Sequence, residues 1–330
     1  MQQDQHREDN AHRRRDRHGL AEAETRLFDV LDLEPRSRRI ALRDGPVSSA
    51  RVLEVGEGPP LLFVHGAGMT AAVWAPLLVH LPHRRSICVD LPGCGLTDPF
   101  DHRGVDLREH ARTFLGSVLD TLQLDTVPMV ANSLGGTYAL YLAATDAARI
   151  SHLVLTGAPG VAIPGAKPSL AMRLYSRPTL GRVASALSPP ITSGMARRIL
   201  TSVCGRPAVA AVPDEMFAVV AAATRIAEAT TRSLMPELLA GGQSRPELAL
   251  SDDELAAIAP PTRFVWGSQD RAQPPAAGRR AVAAMPDAEL LEVAGGHHPW
   301  WDEPERCAAL LDEHLGSTQT GQDHPHQPHR

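Results

Sequence analysis

Ala131-Asn132-Ser133-Leu134-Gly135-Gly136 decides the fold. It follows the apolar run Val127-Pro128-Met129-Val130 and precedes a segment, Thr137 to Ala147, with apolar residues at three- and four-residue spacing. A serine between small neighbours at a strand-to-helix junction makes a tight turn that lifts its hydroxyl clear of the backbone. The turn also places the Leu134 backbone N–H at a helix N-terminus, where the dipole favours developing negative charge. Ala131 meets the need for little bulk on one side of the serine and Gly135 meets it on the other.

Outward from this turn, short apolar runs alternate with helical patterns. Leu61-Leu62-Phe63-Val64, Ser86-Ile87-Cys88-Val89, Leu153-Val154-Leu155 and Arg263-Phe264-Val265 read as strands buried on both faces, and His110 to Leu122 reads as a helix. The rhythm predicts an α/β fold with a doubly wound, mostly parallel sheet. From residue 159 to 250 it stops: prolines punctuate helical stretches such as Gly194 to Val203 and Asp214 to Ala227, as expected of a helical cap inserted into the core. Ser251 with Glu254 forms a capping box that starts the return to the sheet. The expected organisation is a disordered tail over 1–20, a core in two parts over 38–158 and 251–315 around the cap, and a second disordered tail over 316–330.

Four further segments bear on chemistry. His65-Gly66-Ala67-Gly68 follows a strand run, as does Asp90-Leu91-Pro92-Gly93-Cys94-Gly95-Leu96-Thr97-Asp98. Trp266-Gly267-Ser268-Gln269-Asp270 ends another strand, and Gly295-Gly296-His297-His298-Pro299 opens a segment that runs to Pro304-Glu305. In their chain order these segments resemble the α/β-hydrolase fold superfamily, over residues from about 40 to 315. Ala131 departs from the glycine usual at the first position of the serine turn.

The resemblance implies a triad of Ser133 as nucleophile, His297 as general base and Asp270 as the carboxylate that orients it, with the Ala67 and Leu134 N–H groups as oxyanion hole. Matching Gly-His and the proline two residues later selects His297, which leaves His298 at the family's variable position. The resemblance gives His65 a structural role within its loop and the Asp90 loop a structural role as well. Cys94 reads as a buried, inert thiol, since no basic residue adjoins it in sequence to lower its pKa.

The composition, 43% hydrophobic and 22% charged with a net charge of −5, fits a globular protein and gives no electrostatic reason to expect nucleic acid. The four cysteines lack the paired spacing of zinc sites or disulfide frameworks. The N-terminus lacks the apolar core of a secretory signal and no run nears 18 apolar residues, so the expectation is a cytoplasmic protein off the membrane; the sequence leaves the oligomeric state open, with a monomer as the default. His324, His326 and His329 read as part of a solvated low-complexity end, and no metal or cofactor is expected.

The expected activity is cleavage of a carboxylic ester or related acyl bond of a small to medium hydrophobic substrate through an acyl-enzyme. Serine at position 133 argues against the dehalogenases and epoxide hydrolases of the fold, which use aspartate there. The Asn132-Ser133 turn also resembles that of carbon–carbon bond hydrolases acting on ring-cleavage products. Perhydrolysis with the same triad, or a non-catalytic ligand-binding role, completes the alternatives. Leu170, Met172, Leu174, Met195, Ile199, Leu200, Met216, Phe217 and Met235 are the cap's candidates for an apolar pocket roof.

Overall fold

The structure, a computed structural model, describes residues 2–187 and 189–316. The strands are β1 (Arg36–Ala41), β2 (Ser49–Val55), β3 (Pro60–Val64), β4 (Arg85–Val89), β5 (Val127–Ala131), β6 (Ile150–Thr156), β7 (Leu239–Ala240), β8 (Gln243–Ser244), β9 (Thr262–Gly267) and β10 (Ala288–Val293). β7 and β8 pair as a two-residue hairpin, and the others form one sheet in the order β1-β2-β4-β3-β5-β6-β9-β10. Every pairing from β4 to β10 is parallel, whereas β2 runs antiparallel to both β1 and β4.

The central strands read as apolar runs because both of their faces are covered. Leu62, Val64, Met129, Leu153 and Phe264 enter one core, while Leu61, Phe63, Val130, Val154 and Val265 enter the other on the opposite face. β1 is an edge strand, and its exposed Arg36, Arg38 and Arg39 protect it from pairing with another chain.

Helices α1 (Gln2–Val30), α2 (Ala75–Leu78), α3 (Leu107–Thr121) and α4 (Leu134–Thr145) precede β6 or lead into it. Between β6 and β9 lie α5 (Leu170–Tyr175), α6 (Pro178–Leu187), α7 (Ser193–Cys204), α8 (Arg206–Ala211), α9 (Asp214–Ile226) and α10 (Glu228–Leu238). α11 (Asp252–Ala256) begins at the capping box, with the Glu254 N–H donating to Ser251 Oγ and the Ser251 N–H to Glu254 Oε2. α12 (Pro275–Ala284), α13 (Pro299–Asp302) and α14 (Pro304–Gly316) complete the chain. No helix among the described residues is long and apolar enough to cross a membrane.

The expectation of a disordered tail over residues 1–20 is corrected: α1 covers nearly all of it. Leu20, Ala23, Leu27 and Phe28 recur at three- and four-residue spacing and are buried in the core that also holds α9. Apolar burial at the helix's C-terminal end therefore outweighs the polar composition of its start. Arg17, within the supposed tail, donates to the Leu96 carbonyl. Past Gly316, the expected C-terminal tail and its three histidines lie outside the described residues.

Candidate active site

Ser133 joins β5 to α4 with φ 52° and ψ −118°, a conformation that costs a non-glycine residue about 1–3 kcal/mol. The surroundings hold it there. The Asn132 N–H donates to the Val64 carbonyl at 3.0 Å, the Ser133 N–H to the Ala158 carbonyl at 3.0 Å, and the Thr137 N–H to the Ser133 carbonyl at 2.9 Å. A side chain at Gly135 would overlap the Val64 and His65 carbonyl oxygens, which explains the glycine. Asn132 and Leu134 are buried, whereas Ser133 is partly exposed.

Asp270 and His297 meet at the ends of β9 and β10. Asp270 Oδ2 accepts from His297 Nδ1 at 2.9 Å and from the Ala158 N–H at 3.0 Å, and Oδ1 accepts from the N–H groups of Ala272 and Gln273 at 2.8 and 3.3 Å. Burial pushes the Asp270 carboxyl up, but neighbouring His297 and these hydrogen bonds outweigh it and hold the group below the usual carboxylate range. With Nδ1–H committed to the carboxylate, His297 keeps Nε2 as a proton acceptor.

Two residues whose roles sequence reasoning missed tie this pair to Ser133. Ala158 accepts from the Ser133 N–H and donates to Asp270, while Asn132 Nδ2 donates to the His297 carbonyl at 3.1 Å and the Thr156 carbonyl at 2.6 Å. Asn132 stood in plain view beside Ser133, but Ala158 acts through its backbone and leaves no signal in the sequence.

The ring of His298 lies against that of His297, with centroids 5.5 Å apart. It is buried against Trp300 and Trp301, with ring centroids 4.8 and 4.7 Å away. Burial, and after it the adjacent His297, lowers its pKa to about 3. The structure thus brings His297 rather than His298 to Asp270.

The loop after β3 lies directly against Ser133: a Cβ on Gly66 would stand 3.6 Å from Ser133 Oγ. Ala67 follows on this loop, and Leu134 is the first residue of α4, so its N–H has no partner within the helix. His65 is enclosed, its Nδ1–H donating to the Gly66 carbonyl at 2.7 Å and its Nε2 accepting the Leu91 N–H at 3.0 Å. Burial lowers the His65 pKa, consistent with a neutral ring that fastens one loop to the next. Cys94 is buried and burial raises its thiol to about 12, so it is a poor nucleophile at neutral pH.

Helix α10 overhangs these loops, with Thr231 facing Gly68 and Thr230 facing Gly93. Of the cap's apolar candidates, Leu200, Met216 and Phe217 are core residues packed with α1 and the tryptophans, whereas Leu170 and Ile199 are exposed. Helix packing, rather than a pocket roof, accounts for the first three.

Comparison with known proteins bears on the family and the fold. A sequence profile of the alpha/beta hydrolase family matches residues 61–310. The 2-hydroxy-6-oxononadienedioate/2-hydroxy-6-oxononatrienedioate hydrolase of Paraburkholderia phymatum is 29% identical over 271 residues, 78% of this chain and 86% of that protein. Among solved structures, the 2-hydroxy-6-oxo-6-phenylhexa-2,4-dienoate hydrolase of a Rhodococcus species superposes with TM-score 0.67 at 20% identity, covering 86% of this chain and 99% of that one. The naproxen esterase of Bacillus subtilis superposes with TM-score 0.69 at 17% identity, covering 90% and 96%.

Proposed function

The chain belongs to the alpha/beta hydrolase family, and we propose that it hydrolyses the carbon–carbon bond beside the 6-oxo group of a 2-hydroxy-6-oxo-dienoic acid, with Ser133 as nucleophile. The observation that carries the catalytic part is the shared anchoring of Ser133, Asp270 and His297 through Ala158 and Asn132, together with the 2.9 Å bond from His297 Nδ1 to Asp270. The similarity to the Paraburkholderia enzyme, over most of both chains, supports the substrate class and displaces a simple ester as first expectation.

In this reading His297 Nε2 takes the Ser133 proton as Oγ attacks the 6-oxo carbon, and the N–H groups of Ala67 and Leu134 hold the resulting oxyanion. For this the dienol must first become its 2-oxo tautomer, losing the proton on O2 and gaining one at C5; C5 then leaves with the bonding electron pair as a dienolate whose charge is spread to the C2 oxygen, and the imidazolium returns its proton to that fragment. Water activated by His297 then releases the acyl group from Ser133. Asp270 holds the imidazole in the needed tautomer and stabilises its charged form. The substrate is a small conjugated acid, and the reaction calls on no metal or cofactor.

The test is to follow the loss of a chromophoric 2-hydroxy-6-oxo-dienoate beside p-nitrophenyl esters of graded length, with Ser133→Ala as control. Turnover of the dienoate, abolished in the variant, supports the reading. Ester turnover without dienoate turnover contradicts the bond assigned and returns the protein to the esterases.

A further inference from the structure

The oxyanion loop runs from His65 to Thr70, and its far end is fastened by an assembly buried behind it. Thr70 Oγ donates to Glu24 Oε1 at 2.6 Å and lies 3.1 Å from Asp90 Oδ1, which also accepts the Ala71 N–H at 2.6 Å. Arg51 stands between the two carboxylates: its guanidinium donates to Glu24 Oε2 at 2.6 Å and Asp90 Oδ2 at 3.4 Å, and its Nε to Ser37 Oγ at 3.0 Å. Glu24, Arg51, Thr70 and Asp90 are all almost wholly buried. In a dry pocket these contacts hold their partners stiffly, because breaking any of them leaves a buried polar group without a hydrogen-bond partner.

Glu24 comes from α1, ahead of the residues 61–310 that the family profile matches. It is the only side chain of that helix shown bonding to the loop among the described residues, and it bonds three positions from Ala67. A donor N–H must stand within about 0.5 Å of its productive place to stabilise an oxyanion. We infer that Glu24 is a positioning residue for the reaction: by gripping Thr70 it fixes where the Ala67 N–H stands relative to Ser133, and α1 is thereby part of the catalytic apparatus. This rests on the assignment of Ser133 and Ala67 given above.

The test uses the full chain, with kcat and KM for the substrate turned over and the rate of fluorophosphonate labelling read together. Glu24→Ala is expected to lower kcat and the labelling rate about tenfold with KM within about twofold, since the donor is displaced rather than deleted. Thr70→Val is expected to match that loss, the double variant to lose no more than either single, and Thr70→Ser to restore the wild-type rate. Glu22→Gln, exposed on the same helix, is the control and should change nothing. Should Glu24→Ala fail to fold, two full-size neutral replacements decide, with Arg51 left to pair with Asp90. Glu24→Gln keeps an acceptor for Thr70 and is expected to retain kcat within about twofold, whereas Glu24→Leu should show the tenfold loss. Wild-type kcat in folded Glu24→Ala, multiplicative losses in the double variant, or a change confined to KM would overturn the inference. A wild type that the probe does not label fails the Ser133 assignment itself, and the inference falls with it.

Discussion

Two buried polar assemblies lie close to Ser133 and differ in what they leave free. Asp270 is saturated by Ala158, Ala272, Gln273 and His297, yet the imidazole it holds keeps one nitrogen uncommitted. In the Glu24–Arg51–Asp90–Thr70 assembly the groups are spent on one another and on the loops they clamp. The first is built to move a proton, and the second to keep a loop from moving. Substitutions should therefore separate them: damage to the first removes rate without removing stability, and damage to the second removes both.

The largest expected effect is on the first assembly. Ser133→Ala and His297→Ala should each lower kcat by about 10⁶-fold and leave the melting temperature nearly unchanged, as stopped-flow or endpoint assays beside thermal melts would show. Asp270→Asn should cost about 10⁴-fold, because an amide in that place favours the wrong imidazole tautomer. A loss below tenfold would mean that the 2.9 Å bond to His297 is not used in the reaction.

Arg51→Met sharpens the contrast from the other side. It leaves the Glu24 and Asp90 carboxylates buried together without a cation and should destabilise the fold by about 3–5 kcal/mol, measured by urea unfolding. Equal stability in that variant would reduce the second assembly to ordinary packing.

How far these assemblies could be read from sequence differs for physical reasons. Ser133, Asp270 and His297 each close a strand or turn whose shape demands small or fixed neighbours, so glycine and serine spacing betrays them. β3, β5, β6 and β9 announce themselves as apolar runs because both of their faces are covered. Glu24 and Arg51 carry no such mark: one lies in a helix with a polar start and the other is a lone cation in a largely apolar strand, and only the three-dimensional approach of α1 makes them partners. β1 was equally silent, since an edge strand with exposed arginines has no buried pattern to reveal. The polar start of α1 hid the stripe of Leu20, Ala23, Leu27 and Phe28 that docks it.

A third group lies outside both assemblies. His102, His110 and His298 are buried, and burial lowers their pKa values to about 3, 4 and 3. In the unfolded chain they bind protons near pH 6.5, so below that pH the unfolded state holds more protons than the fold. Stability should therefore fall as pH drops from about 6.5 toward 4, by about 1.4 kcal/mol per histidine per pH unit. Urea midpoints at pH 7 and 5 would show the slope, and His102→Phe should lessen it by one histidine's share. The smallest effect belongs to His298→Phe: placed among the tryptophans and away from Asp270, it should leave kcat within about threefold. A collapse of kcat in that variant would mean that the working imidazole had been misidentified.

The most direct measurement of the central claim is to label the folded protein with a fluorophosphonate and locate the adduct by peptide mass spectrometry. The expected result is a single adduct on Ser133, formed at a rate that falls steeply in His297→Ala and Asp270→Asn. Folded wild-type protein that remains unlabelled, or an adduct on another residue, would contradict the account.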